Sequence, residues 1–434
     1  MPTLSVRQRR LGLWALLAAG FLFVNFHRTA TAVLADPLAR AFDATAAELG
    51  LLHASFFYVY AALQLPAGLI VDRYGPRRVG AVGLALMSAG VGWFAFSGTL
   101  GAAFVARASI GLGGSVLYIA TLRFCANWFQ PDEYATMTGY TVAAAGVGGI
   151  LATTPLALAT GEFGWRMAIL VTAVTTGVLS VGIALGVRDT PERAGLDASE
   201  FGVGTSSTHV ASLSEMVANT RTVLAEFETW LMGVVLFCVL GVNFTVLGLW
   251  GVPFLVDTYG VSIANASIYV LVGNVGFVLG SPVIGALSDR LGRRTELVVA
   301  TAVLFALSYG TLLLIPPLPV VGAVFFTALL ANGGVALVFT IGKERHRPAV
   351  AGTITGVVNS FGYFGAAVLP SLMGAVLDAY WTGDIINGAR VYTVAGYRVA
   401  FGIAALAGLV ATLVAWWLHH REVGGGPQRV ETDA

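Results

Sequence analysis

The sequence predicts an all-α integral membrane protein, with twelve transmembrane helices in two pseudo-symmetric six-helix bundles. Three observations carry that prediction. Of 434 residues, 57% are hydrophobic and 11% charged, with a mean hydropathy of +0.81; an ordinary soluble domain carries roughly 25% charge. Twelve apolar runs are long enough to supply the about 20 residues that a helical span needs. A charged loop, GLIVDRYGPRR at 68–78, returns as GALSDRLGRR at 285–294. Subtracting Asp72 from Asp289 gives an offset of 217, half of 434, and the same offset carries Gly68, Arg73, Gly75 and Arg77 onto Gly285, Arg290, Gly292 and Arg294. It also carries Thr138, Gly139 and Gly148 onto Thr355, Gly356 and Gly365. The chain is a duplicated unit.

The apolar runs lie near 11–34, 45–70, 79–98, 102–128, 135–157 and 166–187 in the first half. Those of the second half lie near 230–256, 263–287, 296–315, 318–341, 350–378 and 396–418. Arg7, Arg9 and Arg10 precede the first run as in a secretory signal, but the run exceeds the roughly 7 to 15 apolar residues of a signal core and reads as an uncleaved helix. Six runs separate the two charged loops, and an even number returns the chain to the same side, as a parallel repeat requires. The predicted division is a bundle over 1–187, a cytoplasmic linker over 188–228, a second bundle over 229–421 and a tail over 422–434. In the linker, Asp189, Pro191, Glu192, Arg193 and the polar string 204–209 lower the hydropathy, while 213–227 has apolar residues at helical spacing that suit a membrane surface. A loop over 378–394 lengthens the second half, so that Gly164, Trp165 and Arg166 align with Gly396, Tyr397 and Arg398 at an offset of 232. The tail after Arg421 is expected to be disordered.

Loop charges set the orientation. With the amino terminus cytoplasmic, that side carries Arg7, Arg9, Arg10, Arg73, Arg77, Arg78, Arg188, Arg193, Arg221, Arg290, Arg293, Arg294, Lys343, Arg345, Arg347, Arg421 and Arg429, a total of 17. The other side carries Arg40, Arg166, Arg390 and Arg398, a total of 4. Seventeen against four places both termini in the cytoplasm. The net charge of +1 and the absence of a basic stripe argue against nucleic acid. Cys125 and Cys238 both fall in apolar runs, which argues against a structural disulfide. There is no GxxxxGK(S/T) string, catalytic triad or metal-ligand spacing; no enzyme activity, metal, cofactor or direct ATP coupling is expected.

The paired strings G-x-x-x-D-R-x-G-x-R-R and G-x-x-x-D-R-x-G-R-R resemble the signature loop of the major facilitator superfamily of secondary transporters. That resemblance implies a gating role for Gly68, Asp72, Arg73, Gly75, Arg77 and Arg78, and for Gly285, Asp289, Arg290, Gly292, Arg293 and Arg294. These residues would latch the cytoplasmic side when the outer side opens, with Asp132, Glu133 and Glu344 as partners for the arginines. Arg107, Gly111 and Gly113 are similar to the superfamily's arginine-and-glycine element in its fourth helix, and Arg107, Gly111, Gly114 and Tyr118 share one helical face. The same residues also fit a boundary charge above a glycine packing stripe. FHR in the first run and FFYVYAALQLPAGLIVDRYGPRR across the second are similar to the branches that move organic anions, the anion symporters and organophosphate exchangers. The seventh run lacks the basic residue typical of the phosphate exchangers, and GVGGILATTP departs from the glycine-proline string of the drug antiporters.

Arg28 lies well inside the first run, where an arginine costs roughly 2.5 to 3.5 kcal/mol on insertion scales and usually faces a cavity or a partner. Three readings fit it: a substrate or gating role, a structural pair with Asp36 two turns on, or a helix boundary that falls elsewhere. Arg123 sits nearer the cytoplasmic end of its run, in reach of either the cavity or the interface. No Asp or Glu falls near the middle of a run, so the buried charge is positive and a cavity should favour anions. Asn25, Tyr58, Tyr60, Gln64, Tyr118, Asn243, Trp250, Asn274, Asn332, Asn359 and Tyr363 are the uncharged candidates for lining it, each equally suited to hydrogen bonds between helices. The expected function is secondary active transport of a small carboxylate-like organic anion by alternating access, with the site near the midplane. A proton, sodium or a counter-anion would supply the coupling, and a monomer suffices. Transport of neutral or cationic compounds, such as sugar or drug efflux, is the alternative. A receptor or membrane enzyme on the same scaffold is the third reading, and the linker and tail are short for a signalling or catalytic domain.

Overall fold

The computed structural model describes residues 6–196, 213–346, 350–386 and 389–425. Twelve of its helices are long and apolar enough to cross a membrane. Spans 1 to 6 are Val6–Thr29, Ala46–Tyr74, Pro76–Phe96, Leu100–Trp128, Thr136–Phe163 and Trp165–Gly186. Spans 7 to 12 are Phe227–Tyr259, Ile263–Leu291, Arg294–Leu312, Leu318–Glu344, Gly352–Ala379 and Val394–Arg421. The shortest has 19 residues, about 28 Å at 1.5 Å per residue, which matches the hydrocarbon thickness. Span 7 is the most enclosed, with 83% of its apolar core buried against 33% for span 12. Large apolar side chains such as Val178, Leu185, Leu307 and Leu413 stay exposed on the outer helices, which is the surface a bilayer covers.

The sequence repeat extends to places where helices break, a feature that apolar periodicity did not reveal. Span 1 stops at Thr29 and resumes as Thr31–Phe42, while span 7 carries a π-helical turn at Val246–Trp250. The offset of 217 takes Ala30 to Leu247. Span 4 is interrupted between Gly114 and Leu117, and span 10 between Leu330 and Gly333; the same offset takes Ser115 to Asn332. Span 5 is also interrupted, at Ala152 and Thr153. Irregular backbone at membrane depth is tolerated where protein buries it or where it lines a cavity. Paired breaks in the two halves therefore mark the interior around which a site can form.

The bundles meet along a seam built chiefly by spans 2 and 11. On the face opposite the signature loops, Gly50 and Gly374 bring the two backbones together. A Cβ on Gly50 would collide with the Pro370 carbonyl, and one on Gly374 with the Ala46 carbonyl. The first N–H groups of span 2, which a helix cannot satisfy internally, are fully accounted for here. Thr45 and Glu48 form a capping box. The Asp378 carboxylate, from the other bundle, accepts from Ala46 N at 2.9 Å and Ala47 N at 2.8 Å. Nearer the middle, Ser360 Oγ donates to the Ala61 carbonyl at 3.3 Å and Asn359 Nδ2 to Gln64 Oε1 at 2.9 Å. A second seam joins spans 5 and 8, where Ser267 Oγ donates to Thr154 Oγ1 at 3.1 Å.

The loop expected over 378–394 contains an antiparallel hairpin of Trp381–Ile386 with Ala389–Tyr392. Its aromatic and β-branched residues explain the extended form, and Arg390 lies 3.6 Å from Asp378, tying the hairpin to the seam. The linker forms a helix at Leu213–Ala225. The polar string 204–209, Arg347 and the tail from 426 onward lie outside the described residues. Both cysteines are buried and unpaired with each other. Because Gly374 has no room for a side chain, Gly374→Val should destabilise the seam by about 1–3 kcal/mol, read as a lowered thermal midpoint of the purified protein. An unchanged midpoint would show that the seam is looser than its backbone contacts imply.

Candidate functional site: an arginine between the bundles

Arg28 ends the first helical segment of span 1 and is 7% exposed. Its Nη2 donates to Asn25 Oδ1 one turn earlier, and its Nη1 donates to the Tyr363 hydroxyl of span 11 at 3.4 Å. The guanidinium carbon lies 4.4 Å from the centroid of the Phe244 ring on span 7, a desolvated cation–π contact of about 2 kcal/mol. Its Nε has no partner among the described residues. Every group that serves this cation is neutral, and two of them belong to the other bundle.

Arg28 borders a cavity of about 30 Å³. Asn25, Arg28 and Thr29 of span 1 and Ala145 and Gly149 of span 5 form one wall. Asn243, Phe244, Leu247 and Gly248 of span 7, Asn274 and Phe277 of span 8, and Leu329 and Asn332 of span 10 form the other. This volume is far below the roughly 300–1,000 Å³ of a small-molecule site, so a bound solute requires the walls to part. The far wall is a fixed amide network. Asn243 Nδ2 donates to the Ala328 carbonyl at 3.3 Å and to Asn332 Oδ1 at 3.4 Å, and its Oδ1 accepts from the Tyr309 hydroxyl at 2.8 Å. Asn274 Nδ2 donates to the Val270 carbonyl at 3.0 Å.

Among the sequence candidates, Asn25, Arg28, Asn243, Asn274 and Asn332 line this cavity and Tyr363 adjoins it through Arg28. Tyr60 is buried against Tyr363, with ring centroids 4.6 Å apart. Tyr58 is 38% exposed and points out of the bundle, because two residues along a helix from Tyr60 is nearly the opposite face. Gln64 and Asn359 bond to each other in the seam. Trp250 donates to the Pro370 carbonyl inside the second bundle. Tyr118 packs on Phe21 inside the first, with centroids 4.9 Å apart.

Arg107 lies outside the cavity lining. Its Nε donates to the Leu52 carbonyl at 3.1 Å, its guanidinium sits 5.7 Å from the Phe94 ring, and Gly111 and Gly114 below it pack on Phe56 and Val24. Arg123 turns to the loop instead of the cavity and pairs with Asp72 at 3.2 Å. Asp36 is not a partner of Arg28, whose guanidinium is turned to Asn25, Tyr363 and Phe244 instead. Phe244, Gly248, Gly149 and Thr29 were missed, and in a chain with 25 phenylalanines and 54 glycines no sequence signal singles them out.

The signature loops are anchored inside their own bundles, by unlike means. In the first half, Gly75 turns the chain with φ of 82°, and Asp189 at the end of span 6 accepts from Arg77 N at 2.8 Å while Arg77 Nε donates to the Ala184 carbonyl at 2.7 Å. Arg193 pairs with the same Asp189 at 2.6 Å. In the second half, Arg294 pairs with Glu344 of span 10, as expected, and Arg293 lies 3.3 Å from Glu296. Glu133 does not meet a loop arginine; Arg10 grips it through both nitrogens at 2.8 and 2.6 Å. Partial burial raises that carboxyl, but Arg10 outweighs it and holds Glu133 below the usual range. The Asp132 side chain lies outside the described residues. Arg73 lies over Tyr74, and Arg78, Asp289 and Arg290 are exposed. Gly68 and Gly285 have open space beside them.

Similar proteins bear on what this arrangement is for. The chain is 27% identical over 406 residues to the membrane sensor protein UhpC of Salmonella typhimurium, covering 88% of this chain and 86% of that protein. It is 25% identical over 424 residues to the probable sulfoacetate transporter SauU of Cupriavidus necator, covering 94% of each. It is 23% identical over 415 residues to the hexuronate transporter of Bacillus subtilis, covering 90% and 92%. Among solved structures, a bacterial homolog of the human lysosomal transporter Spinster, inward-facing and occupied, superposes with a TM-score of 0.78 at 16% identity over 97% of this chain and 99% of its own. The nucleoside transporter NupG (D323A mutant) superposes at 0.74 with 13% identity, over 94% of this chain and 99% of its own. A family profile described as Major Facilitator Superfamily matches residues 16–370 and 243–433, and with the twelve spans, the two bundles and the paired loops in place, this chain is a multi-pass membrane transporter belonging to the major facilitator superfamily.

Proposed function

We propose that the protein is a secondary active transporter of a small organic anion bearing a carboxylate or similar group, moved across the cytoplasmic membrane by alternating access. The observation that carries this reading is Arg28, a buried cation in the cavity between the bundles whose partners are an amide, a hydroxyl and an aromatic ring. No carboxylate is among the described residues that line the cavity. A cation without a counter-charge in a low-dielectric site attracts an anion that supplies one. The sulfoacetate and hexuronate named for two relatives are such anions.

The amides of Asn243, Asn274 and Asn332 then provide hydrogen bonds at the other pole. The signature loops face the cytoplasm in this reading, by the excess of arginine on that face, and both termini lie there with 188–228 linking the halves. Asp72 with Arg123, and Arg294 with Glu344, hold the loops as the two bundles rock. Energy comes from an ion or solute gradient.

A second reading, ligand sensing without translocation, is favoured by the name of the UhpC relative. Thermal shift with a panel of hexuronates, sulfonates, phosphate esters, neutral sugars and amines, followed by uptake into proteoliposomes, separates the two. Transport predicts that a carboxylate or sulfonate raises the melting temperature and accumulates in the vesicles, whereas sensing predicts the first without the second. Arg28→Gln should weaken anion binding by on the order of 100-fold, since it removes a buried charge partner. Stabilisation by neutral compounds or amines that survives Arg28→Gln would refute the anion reading. Asp72→Asn should slow uptake about two- to fivefold with unchanged expression, the scale of a partly exposed ion pair of at most about 1 kcal/mol; normal rates would remove the latch.

A further inference from the structure

His53 lies on span 2 in the seam and is 0% exposed. Its Nε2 is 3.2 Å from the Phe244 carbonyl of span 7, in the other bundle. A carbonyl only accepts, so Nε2 carries the hydrogen and Nδ1 is a bare lone pair, with no partner among the described residues. The ring also abuts the cavity wall, since a Cβ on Gly248 would lie 3.0 Å from its Cε1 and 3.7 Å from the Arg28 carbonyl. The charged and titratable groups facing it are few. Span 4 presents Arg107, bonded to the carbonyl of Leu52, the residue before His53. Span 1 presents Arg28 beyond Gly248, span 11 presents Tyr363 behind the Phe57 ring, and Tyr60 follows on its own helix. Span 7 offers the Phe244 carbonyl and ring.

We propose that His53 is a proton-binding site of the transport cycle, empty while the seam is shut and filled when the bundles part on the face opposite the signature loops. This rests on the transporter reading above. In the shut seam a second proton on the ring, at Nδ1, would face no acceptor and would add positive charge near Arg107, which bonds the carbonyl of the preceding residue. Both effects disfavour the shut state of the protonated form. Parting the bundles breaks the bond to Phe244 and lets water reach the ring, which removes both penalties. Proton binding and opening of that face are therefore linked, and linkage is reciprocal. Phe244 also carries Arg28 on its ring, so one residue of span 7 responds to both the proton and the anion site. His27 is buried against Thr172 and Phe26 of its own bundle, contacts that separation of the bundles leaves in place.

The test needs no substrate. Ser371 lies in the seam beside Gly50, so Ser371→Cys, with Cys125 and Cys238 replaced by serine, reports opening through its labelling by a membrane-impermeant maleimide added to that face. Relative to an exposed control cysteine, labelling should rise as pH falls from about 8 to about 6, the range around the ordinary histidine value, with a ceiling of about tenfold per pH unit for one proton. The rise should vanish in His53→Gln and His53→Asn and persist in His27→Gln. In selectively 15N-labelled protein, one of the 6 histidines should titrate in step with the labelling. Labelling independent of pH, or a rise retained in the His53 variants, overturns the proposal. An anion panel that moves nothing while labelling still follows pH and His53 would refute the anion reading and leave the proton site standing.

Discussion

The arrangement depends on a constraint that the bilayer imposes: every main-chain polar group in the seam must be bonded in whichever state the seam adopts. The start of span 2 meets it by dividing the work. Its own capping box satisfies two N–H groups, and Asp378 of the opposite bundle satisfies two more. When the bundles part there, the amides and the carboxylate sit close enough to the membrane edge for water to replace each other's bonds. The exchange is nearly balanced, as it is for hydrogen bonds generally. A seam of this kind closes firmly and opens cheaply, which a transporter requires. The close backbone approach at Gly50 and Gly374 adds dispersion contact without adding polar groups that would need new partners.

Three buried or half-buried arginines show how one residue type can be put to different uses by its neighbours. Arg107 is served within its own bundle by a carbonyl and a ring. Arg123 is neutralised by Asp72 at the membrane edge. Arg28 alone of the three takes its partners from both bundles, and they are all neutral. The insertion cost of roughly 2.5 to 3.5 kcal/mol is partly offset by the ring and the amide. The charge itself stays uncompensated, so the field in the cavity remains positive and bears on any solute that enters.

The large features of this fold were legible because they are one-dimensional. Twelve apolar runs, the repeat at 217 and the charge count can all be read without knowing which residues touch. Arg28 was legible for the same reason, since a cation inside an apolar run is conspicuous wherever it points. The positions of Asn243, Asn274 and Asn332 were visible as polar residues, but their grouping in one wall depends on three helices converging. Tyr58 and Tyr60 were indistinguishable in sequence, and the turn of span 2 sends one outward and the other in. The positions of Arg107 and Arg123 nearer the ends of their runs were legible, but their partners were not, because a guanidinium reaches several ångströms and its partner lies on another element. The helix breaks at Ala30, Ser115, Leu247 and Asn332 left no apolar gap, so hydropathy passed over them.

Duplication gives the two halves the same spans and the same breaks, yet not the same side chains at them. The offset of 217 takes Arg28 to Thr245 and returns Asn243, Asn274 and Asn332 to Phe26, Phe57 and Ser115. It also takes Arg123 to Thr340 and returns Glu344 to Asn127, so the loop anchors have opposite polarity, an acid meeting a helix cation in one half and a loop cation meeting a helix acid in the other. The scaffold is symmetric while its interior is not. One wall of the cavity carries the charge and the other carries three of its four amides, and this asymmetry was inherited by neither half from its twin. A two-poled interior of this kind suits a solute with an anionic end and an uncharged polar end. Because the poles lie on opposite bundles, such a solute would bridge them, and its release would depend on the same separation that exposes the seam.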